Sequence, residues 1–236
     1  MLFMKKALCI LLLFSTSLSA QYKDGKELLR AMHKKYAGNY CQTITFDQKT
    51  VRYDTNSIAK DTGYWYEWIS YPDKFRIDFG KKFGGNCVIF KNDSVFNYRD
   101  HKLVRDGRDE NDLLLLLGGM YFRPIDSVIV RLKRLGYGFD LNRIAPSAAG
   151  GVEYAIGNAD GPSFIVDAKD LKVIAIKTKL NEKDWLVIRF DKFKKSCKGF
   201  TETKVSAYKN GKLEQKEEYL NLKTSVAIPD SIFNKK

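Results

Sequence analysis

The chain has 236 residues, of which 44% are apolar and 13% aromatic, and 41 Lys and Arg against 28 Asp and Glu give a formal net charge of +13. This length allows one or two domains with a real core, and the composition excludes a disordered, collagen-like, coiled-coil or polytopic membrane protein. The basic excess leaves nucleic acid and an anionic membrane surface as the first partners to weigh.

The first 20 residues have the three zones of a secretory signal peptide. Lys5 and Lys6 form a positive start, residues 7–14 are uniformly apolar, and residues 15–20 are mostly small and polar. The apolar run is shorter than the roughly 20 residues that cross a bilayer, and a short buried helix is the competing interpretation. We expect residues 1–20 to be removed on export to the periplasm, which would lower the net charge to +11.

Four cysteines give information about anchoring and cross-linking. Cys9 lies inside the apolar run instead of at the cleavage point, so we expect no lipid anchor. Cys41, Cys87 and Cys197 remain after cleavage, and an odd number allows at most one disulfide and leaves one thiol free. The sequence does not decide which two cysteines pair.

The first predicted element after the signal peptide is a helix over residues 25–37. Asp24 and Glu27 have the spacing of a helix-capping box, and Gly38 stands where a helix commonly ends. Apolar residues follow the cap at helical spacing: Leu28, Leu29, Met32 and Tyr36.

From residue 40 the apolar period changes to two, which is typical of strands. Aromatic and β-branched runs separated by turn signals predict strands within residues 40–53, 64–69, 74–79, 87–90, 95–98, 152–156, 163–167, 171–180, 184–193, 201–208 and 213–222. Asn210-Gly211 is the strongest hairpin signal and predicts a type I′ turn.

The strand pattern is interrupted over about residues 109–136, where two helices are predicted. Asp109 or Asn111 would cap a helix holding Leu113–Leu117, and Pro124 would open a second one. The second helix has an apolar stripe formed by Ile125, Val128, Ile129, Leu132 and Leu135.

These elements predict one α+β domain over residues 21–236, dominated by an antiparallel sheet of about ten or eleven strands. A sheet of this size tends to curl into an incomplete barrel, and the helices would cover its apolar concave face. A fixed core helix is the favoured interpretation of residues 124–135, and a movable lid is the alternative.

No familiar catalytic or cofactor motif occurs in the chain. The nucleophilic serine, nucleotide-binding and zinc-ligand spacings are missing, and His33 and His101 stand alone. We therefore expect a protein without enzymatic activity, metal or cofactor, and we interpret Glu217-Glu218 as an exposed strand face. Basic and aromatic residues alternate over 192–195, but export makes an anionic membrane surface a better partner than nucleic acid.

Residues 65–79, WYEWISYPDKFRIDF, resemble the periplasmic lipoprotein carriers of the LolA/LolB-like family, which have an aromatic strand, a proline turn and then Phe-Arg. The neighbouring motifs occur in the family's order: a Phe-x-Gln strand at 45–48, a hairpin at 92–98, a leucine-rich stretch at 112–117, a hairpin at 163–176 and a tail at 226–233. The resemblance therefore covers nearly all of the exported chain, and the lack of an anchor cysteine places it closer to the soluble, LolA-like branch.

The resemblance implies an incomplete barrel whose lid helices cover a cavity for the acyl chains of lipoproteins or other lipids. It places Phe75, Ile77 and Phe79 in the cavity, with Phe46 and Trp68 as further candidates. It also predicts an apolar lid surface made of Leu113, Leu114, Leu117, Ile125, Val128, Ile129 and Leu132. For each of these residues, ordinary core packing is the alternative.

The resemblance also implies partners for the protein, and the chain differs from the family pattern in two places. A monomeric shuttle would meet inner-membrane extraction machinery and an outer-membrane receptor, with transient contact with anionic membrane surfaces. The family often has a basic residue before the turn proline, tied to lid closure, and Tyr71 stands there in this chain. Residues 137–151 would form an extra loop at the cavity mouth. A scaffold module with a protein partner, or a hydrolase with a hidden carboxylate site, are the competing functions.

Overall fold

A computed structural model of the chain describes residues 22–109, 112–144 and 151–234. The predicted signal peptide at residues 1–20 lies outside the described residues, as do the candidate cap Asn111 and part of the predicted loop at 137–151. Among the described helices, none is long and apolar enough to cross a membrane.

All strands of the described residues belong to one open antiparallel sheet, which is consistent with the predicted incomplete barrel. Its strand order is β6-β5-β4-β3-β2-β1-β13-β12-β11-β10-β9-β8-β7. The strands are β1 (Thr43–Tyr53), β2 (Ala59–Ser70), β3 (Lys74–Phe79), β4 (Cys87–Lys91), β5 (Ser94–Arg99), β6 (Lys102–Arg108), β7 (Leu141–Ile144), β8 (Glu153–Gly157), β9 (Ser163–Asp167), β10 (Lys172–Lys179), β11 (Trp185–Ser196), β12 (Gly199–Lys209) and β13 (Lys212–Thr224).

The described sheet has 13 strands, so the expected ten or eleven is too low. The two strands without a sequence prediction, β6 and β7, are the two edges of the sheet. Every residue of β6 is exposed, and β7 has only four residues. Edge strands of this kind are short and charged and bury no clean face, so they lack the alternating pattern that reveals the others.

Three helices lie on one face of the sheet, called here the inner face: α1 (Gly25–Tyr36), α2 (Leu113–Leu116) and α3 (Ile125–Arg134). The capping box of α1 is confirmed, because the Asp24 side chain accepts a hydrogen bond from the backbone amide of Glu27. The cap predicted for α2 is wrong. Asp112 occupies that position without capping the helix, because its carboxylate accepts a hydrogen bond from the Tyr137 hydroxyl.

The inner face divides into two halves. In the packed half, α1 and α3 cover strands β7–β12 and form the main core with them. Its wholly buried side chains include Leu28, Leu29, Met32, Val128, Leu132, Ile156, Phe164, Val166 and Ile176. In the cavity half, which comprises β1–β6 and β13, the core is smaller, and Leu114 is the one buried helical residue that this core contains in the described chain.

The outer face of the cavity half is covered by the C-terminal tail. A 3₁₀ turn, Asp230–Phe233, places Phe233 against Cys87 and Ile89. Arg76 donates one hydrogen bond to the Ile232 carbonyl and another to the buried carboxylate of Asp78. This side of β3 is therefore sealed by protein.

A disulfide joins the two halves. Cys41 precedes β1, and its partner Cys197 lies in the turn between β11 and β12. Cys87 is the free cysteine of the described chain and is buried. One bridge with one remaining thiol is the arrangement that the cysteine count allowed.

Candidate functional site

A cavity of about 150 Å³ lies between the cavity half of the sheet and α2. Strands β1, β2, β3 and β13 form its floor, to which β12, the neighbouring strand of the packed half, adds Glu202. The leucines of α2 and the following turn form its roof. It is lined by Phe46, Gln48, Trp65, Glu67, Ile69, Tyr71, Phe75, Ile77, Leu113, Leu114, Leu117, Glu202, Glu217 and Tyr219.

The alternation of side chains along β2 and β3 determines which of their residues line the cavity floor. Phe75 pairs with Ile69, and Ile77 pairs with Glu67, so these residues share the inner face, since side chains directly opposite one another in a ladder point the same way. Arg76 and Asp78 occupy the alternate positions of β3 and face the buried outer side. The proline turn between β2 and β3 therefore sets two apolar residues of β3 into the cavity.

Six of the predicted site residues come together in this cavity. Phe46, Phe75 and Ile77 line its floor, and Leu113, Leu114 and Leu117 line its roof. Phe79 shares the face of Ile77 but lies beyond the cavity, with its ring edge-on to Trp65 at a centroid distance of 5.1 Å.

The structure places Trp68, a predicted cavity residue, outside the cavity. It lies one position out of phase with Glu67 and Ile69, so it faces the outer side of the sheet. Its ring stacks on Phe83 with the centroids 5.1 Å apart, and it packs against the cluster around the C-terminal tail. Trp65 is the aromatic residue of β2 that lines the cavity.

The residues predicted as the lid surface of α3 do not line the cavity. Val128 and Leu132 are wholly buried in the packed half, and Ile125 and Ile129 pack against the same core. The structure therefore supports the fixed-core interpretation of α3. The roof is a shorter segment, residues 113–122, which consists of α2 and the 3₁₀ turn Gly119–Phe122 and is called here the cover.

Two tyrosines hold the cover in place. The hydroxyls of Tyr40 and Tyr71 both donate to the carbonyl oxygen of Leu117, at 2.7 and 3.3 Å. A Cβ on Gly118 would stand 2.3 Å from the ring of Tyr71, so only glycine permits this approach. Tyr71, which occupies the position of the family's basic residue, thus contacts the cover directly.

A cluster of ion pairs joins α3 to the turns at the rim of the cavity half. Arg131 pairs with Asp93 and Asp109, and Arg123 pairs with Asp73 and Asp93. Burial alone would raise the pKa of Asp93, but the hydrogen bond from Arg131 and the nearby arginine charges lower it below its usual value. These five residues, called here the clasp, tie the helical layer of the packed half to the rim of the cavity half.

Three glutamates in the cavity are the feature that sequence reasoning missed. Burial raises the pKa values of Glu202 and Glu217 to about 7. Burial, followed by the charges of Glu217 and Glu202, raises the pKa of Glu67 well above its usual value. The cavity is thus apolar in most of its lining and carries protonated or titrating carboxyl groups on its floor.

The alternation of side chains along the strands already indicated the position of two of these glutamates. Glu67 is in phase with Trp65 and Ile69, and Glu217 is in phase with Tyr219, so both lie on apolar faces. The interpretation of Glu217-Glu218 as an exposed face is wrong for Glu217. It holds for Glu218, which pairs with Lys204 on the outer side.

The two histidines of the chain do not lie together at one site. The ring of His33 contacts the carbonyl of Arg123 at 2.9 Å, and His101 lies in the turn between β5 and β6. In the part of the chain that the structure describes, no group of three or more His, Cys, Asp or Glu is arranged to hold a metal ion.

Comparisons with solved structures identify the fold of the chain. No family model and no curated protein matches the sequence. A DUF1329 family protein from Desulfovibrio piger is similar in structure with a TM-score of 0.59 at 12% identity, over 89% of this chain and 95% of that chain. A LolA superfamily protein from Nitrosomonas europaea gives 0.56 at 10% identity, over 90% and 98% of the two chains.

A domain assigned to outer membrane lipoprotein sorting, from Vibrio parahaemolyticus, gives a TM-score of 0.60 at 10% identity, over 89% of this chain and 96% of that chain. These similarities extend over nearly the whole of each solved chain. The chain shares the fold of these solved proteins, as the sequence resemblance implied.

Proposed function

We propose that this protein is a periplasmic carrier that holds an acyl chain of a lipoprotein or another lipid in the cavity and shuttles it toward the outer membrane. The observation that carries the proposal is the cavity itself. One half of the sheet has an apolar floor that no long helix fills, and its roof is the short cover. The fold shared with lipoprotein-sorting proteins supports it.

The energetics require no covalent chemistry. Each methylene group that leaves water for an apolar site is stabilised by roughly 0.8 kcal/mol. Ten methylene groups would therefore contribute about 8 kcal/mol before the costs of association are subtracted. We accordingly propose that the protein is not an enzyme.

The cavity must enlarge to take a whole chain. A volume of about 150 Å³ has room for roughly five water-sized groups and lies below the range of roughly 300–1,000 Å³ that is typical of ligand sites. Leu115 and Leu116 anchor the cover in the packed half, and Leu114 reaches into the cavity half. We propose that the cover lifts from the floor while these two leucines keep it attached.

The charge and the partners fit a shuttle. With the net charge of +11 expected after export, the surface suits transient contact with anionic membranes. In this proposal the protein loads at inner-membrane extraction machinery and unloads at an outer-membrane receptor as a monomer.

The test is the binding of a fluorescent acyl chain to variants on opposite faces of the sheet. Phe75→Glu places a charge on the cavity floor, and Ile77→Trp fills the floor while it stays apolar. We expect both variants to fold and to lose at least tenfold in affinity. Tyr66→Glu is the matched control, because Tyr66 lies in β2 on the outer face, and it should bind as the unaltered protein does. Equal affinity in all variants would overturn the proposal.

A further inference from the structure

The charge of the cavity is opposite to that of the protein. The described lining contains three carboxyl side chains, Glu67, Glu202 and Glu217, and it contains no Lys, Arg or His. The chain as a whole has 41 Lys and Arg against 28 Asp and Glu. Every ionisable carboxyl or amine group of the described lining is therefore acidic, and an anionic head group would find no cationic partner inside this cavity.

Glu67 is the member of this set that lacks a partner. It lines the cavity and is 5% exposed, and no side chain of the described residues is found to donate a hydrogen bond to it. Glu217, in contrast, accepts hydrogen bonds from Gln48, Gln215 and Tyr219. A buried carboxyl group without a hydrogen bond costs free energy, and such groups in native proteins usually face a missing partner.

Aromatic rings surround the glutamates. Phe46 and Tyr219 stack with their centroids 4.0 Å apart, and the rings of Trp65, Tyr71 and Phe75 complete the lining. Aromatic faces attract cations, and aromatic cages are a common means of binding alkylated ammonium groups. Carboxyl groups and aromatic rings together point to the same class of ligand.

We propose that the cavity binds amphiphiles whose polar end is a cationic amine, with Glu67 as the counter-ion, and that it rejects anionic amphiphiles. This inference rests on the proposed function, because the alkyl chain of the same ligand occupies the apolar part of the cavity. The ammonium donates hydrogen bonds to the Glu67 carboxylate, and the proton that Glu67 carried in the empty cavity is released to solvent. No bond other than this O–H bond is broken.

The groups that face Glu67 fit this exchange. They are Glu217 and Tyr219 from β13, Glu202 from β12 and Tyr71 at the end of β2. The cover contributes leucines to the lining, and no described basic side chain is available there to neutralise the carboxylate. Lys82 and Lys223 line a separate pocket that Glu67 also borders, so inside the cavity itself the counter-charge is left to the ligand.

The test compares three ligands that share a 12-carbon chain: dodecylamine, dodecanol and dodecanoate, titrated below their micelle concentrations. We expect dodecylamine to bind at least tenfold tighter than dodecanol, and dodecanoate at least tenfold weaker. Titration in two buffers of different ionisation enthalpy should show about one proton released per dodecylamine bound. Equal affinity for dodecylamine and dodecanol would overturn the inference while leaving the carrier function intact.

Two variants locate the effect. Glu67→Gln removes the charge at constant shape, so it should reduce dodecylamine affinity to that of dodecanol and abolish proton release. Glu218→Gln is the control, because Glu218 adjoins Glu217 in sequence but pairs with Lys204 on the outer face. An unchanged preference in Glu67→Gln would overturn the inference, and a failure of all three ligands to bind the unaltered protein would overturn the proposed function with it.

Discussion

The two halves of the inner face use the same kind of strand and differ in what lies on them. In the packed half, two amphipathic helices fill the curve of the sheet, and the apolar residues that they bury against it, such as Met32 and Leu132, are 0% exposed. In the cavity half, a helix of four residues leaves part of the floor uncovered and encloses three glutamates. One sheet thus carries a filled core and an incompletely filled cavity side by side.

The two halves should contribute differently to stability and to ligand binding. Core side chains in the packed half touch partners on every side, and truncating one leaves a hole that the surroundings fill only partly. The cavity half is already incompletely packed, so it has less to lose. We expect stability to depend mainly on the packed half and ligand binding on the cavity half.

The largest effect should come from truncating a leucine in each half. Leu132, which is 0% exposed in the packed half, should destabilise the protein by about 4 kcal/mol on change to Ala. The same change at Leu114, which is 6% exposed and borders the existing cavity, should lower the free energy of unfolding by only about 2 kcal/mol. Urea unfolding measures both values, and a larger loss at Leu114 would contradict the division.

The next effect concerns the disulfide that joins the halves. Replacing Cys41 and Cys197 with Ser should lower the free energy of unfolding by about 3 kcal/mol, because the bridge closes a loop of 156 residues in the unfolded chain. Cys87→Ser serves as the control, since that thiol has no disulfide partner. Equal unfolding midpoints for the oxidised protein and the double variant would show that the bridge does not hold the halves together.

A third effect is pH dependence from the cavity glutamates. Their pKa values in the folded protein are raised, so the stability they provide is complete below their usual pKa and is lost as the pH rises through about 7. We expect the free energy of unfolding to be on the order of 2 kcal/mol lower at pH 8 than at pH 5. Glu202→Gln should reduce this difference and Glu218→Gln should not. Stability that rises with pH over this range would refute the assignment.

The smallest effect on stability should come from the clasp. Asp93→Asn removes the charge that Arg123 and Arg131 share, and because Asp93 is half exposed the cost should be about 1 kcal/mol. Uptake of a fluorescent acyl chain should become about tenfold faster, since the rim is released. Asp126→Asn, which breaks an exposed pair between Arg30 and α3, is the control. Unchanged uptake in the Asp93 variant would separate the clasp from ligand entry.

The sequence predicted the elements whose signals are local. The capping box and helical spacing identified α1, the stripe after Pro124 identified α3, and the Asn210-Gly211 turn has positive φ at both positions, as its type requires. The edge strands β6 and β7 were missed because edges bury no face. The proline-turn segment located Phe75 and Ile77, because strand phase after a turn is regular.

Other parts of the site depend on contacts that are distant in sequence. Trp68 was placed on the wrong face because the four aromatic residues of β2 occupy both phases, and only the pairing with β3 decides between them. The glutamates come from β2, β12 and β13, and the order of strands in the sheet brings them to one cavity. The division of labour between α2 and α3 likewise depends on which half of the sheet each helix covers.

Cross-linking with a photoreactive acyl chain tests most directly whether the cavity half is the lipid site. The chain carries a diazirine along its alkyl portion, and the labelled peptides are identified by mass spectrometry. We expect labels on β2 and β3 within residues 65–77 and on the cover at 113–117, with none on Phe164 or Val166 in the packed half, and loss of labelling in Phe75→Glu. Labels concentrated on the packed half, or unchanged in Phe75→Glu, would contradict the proposed site.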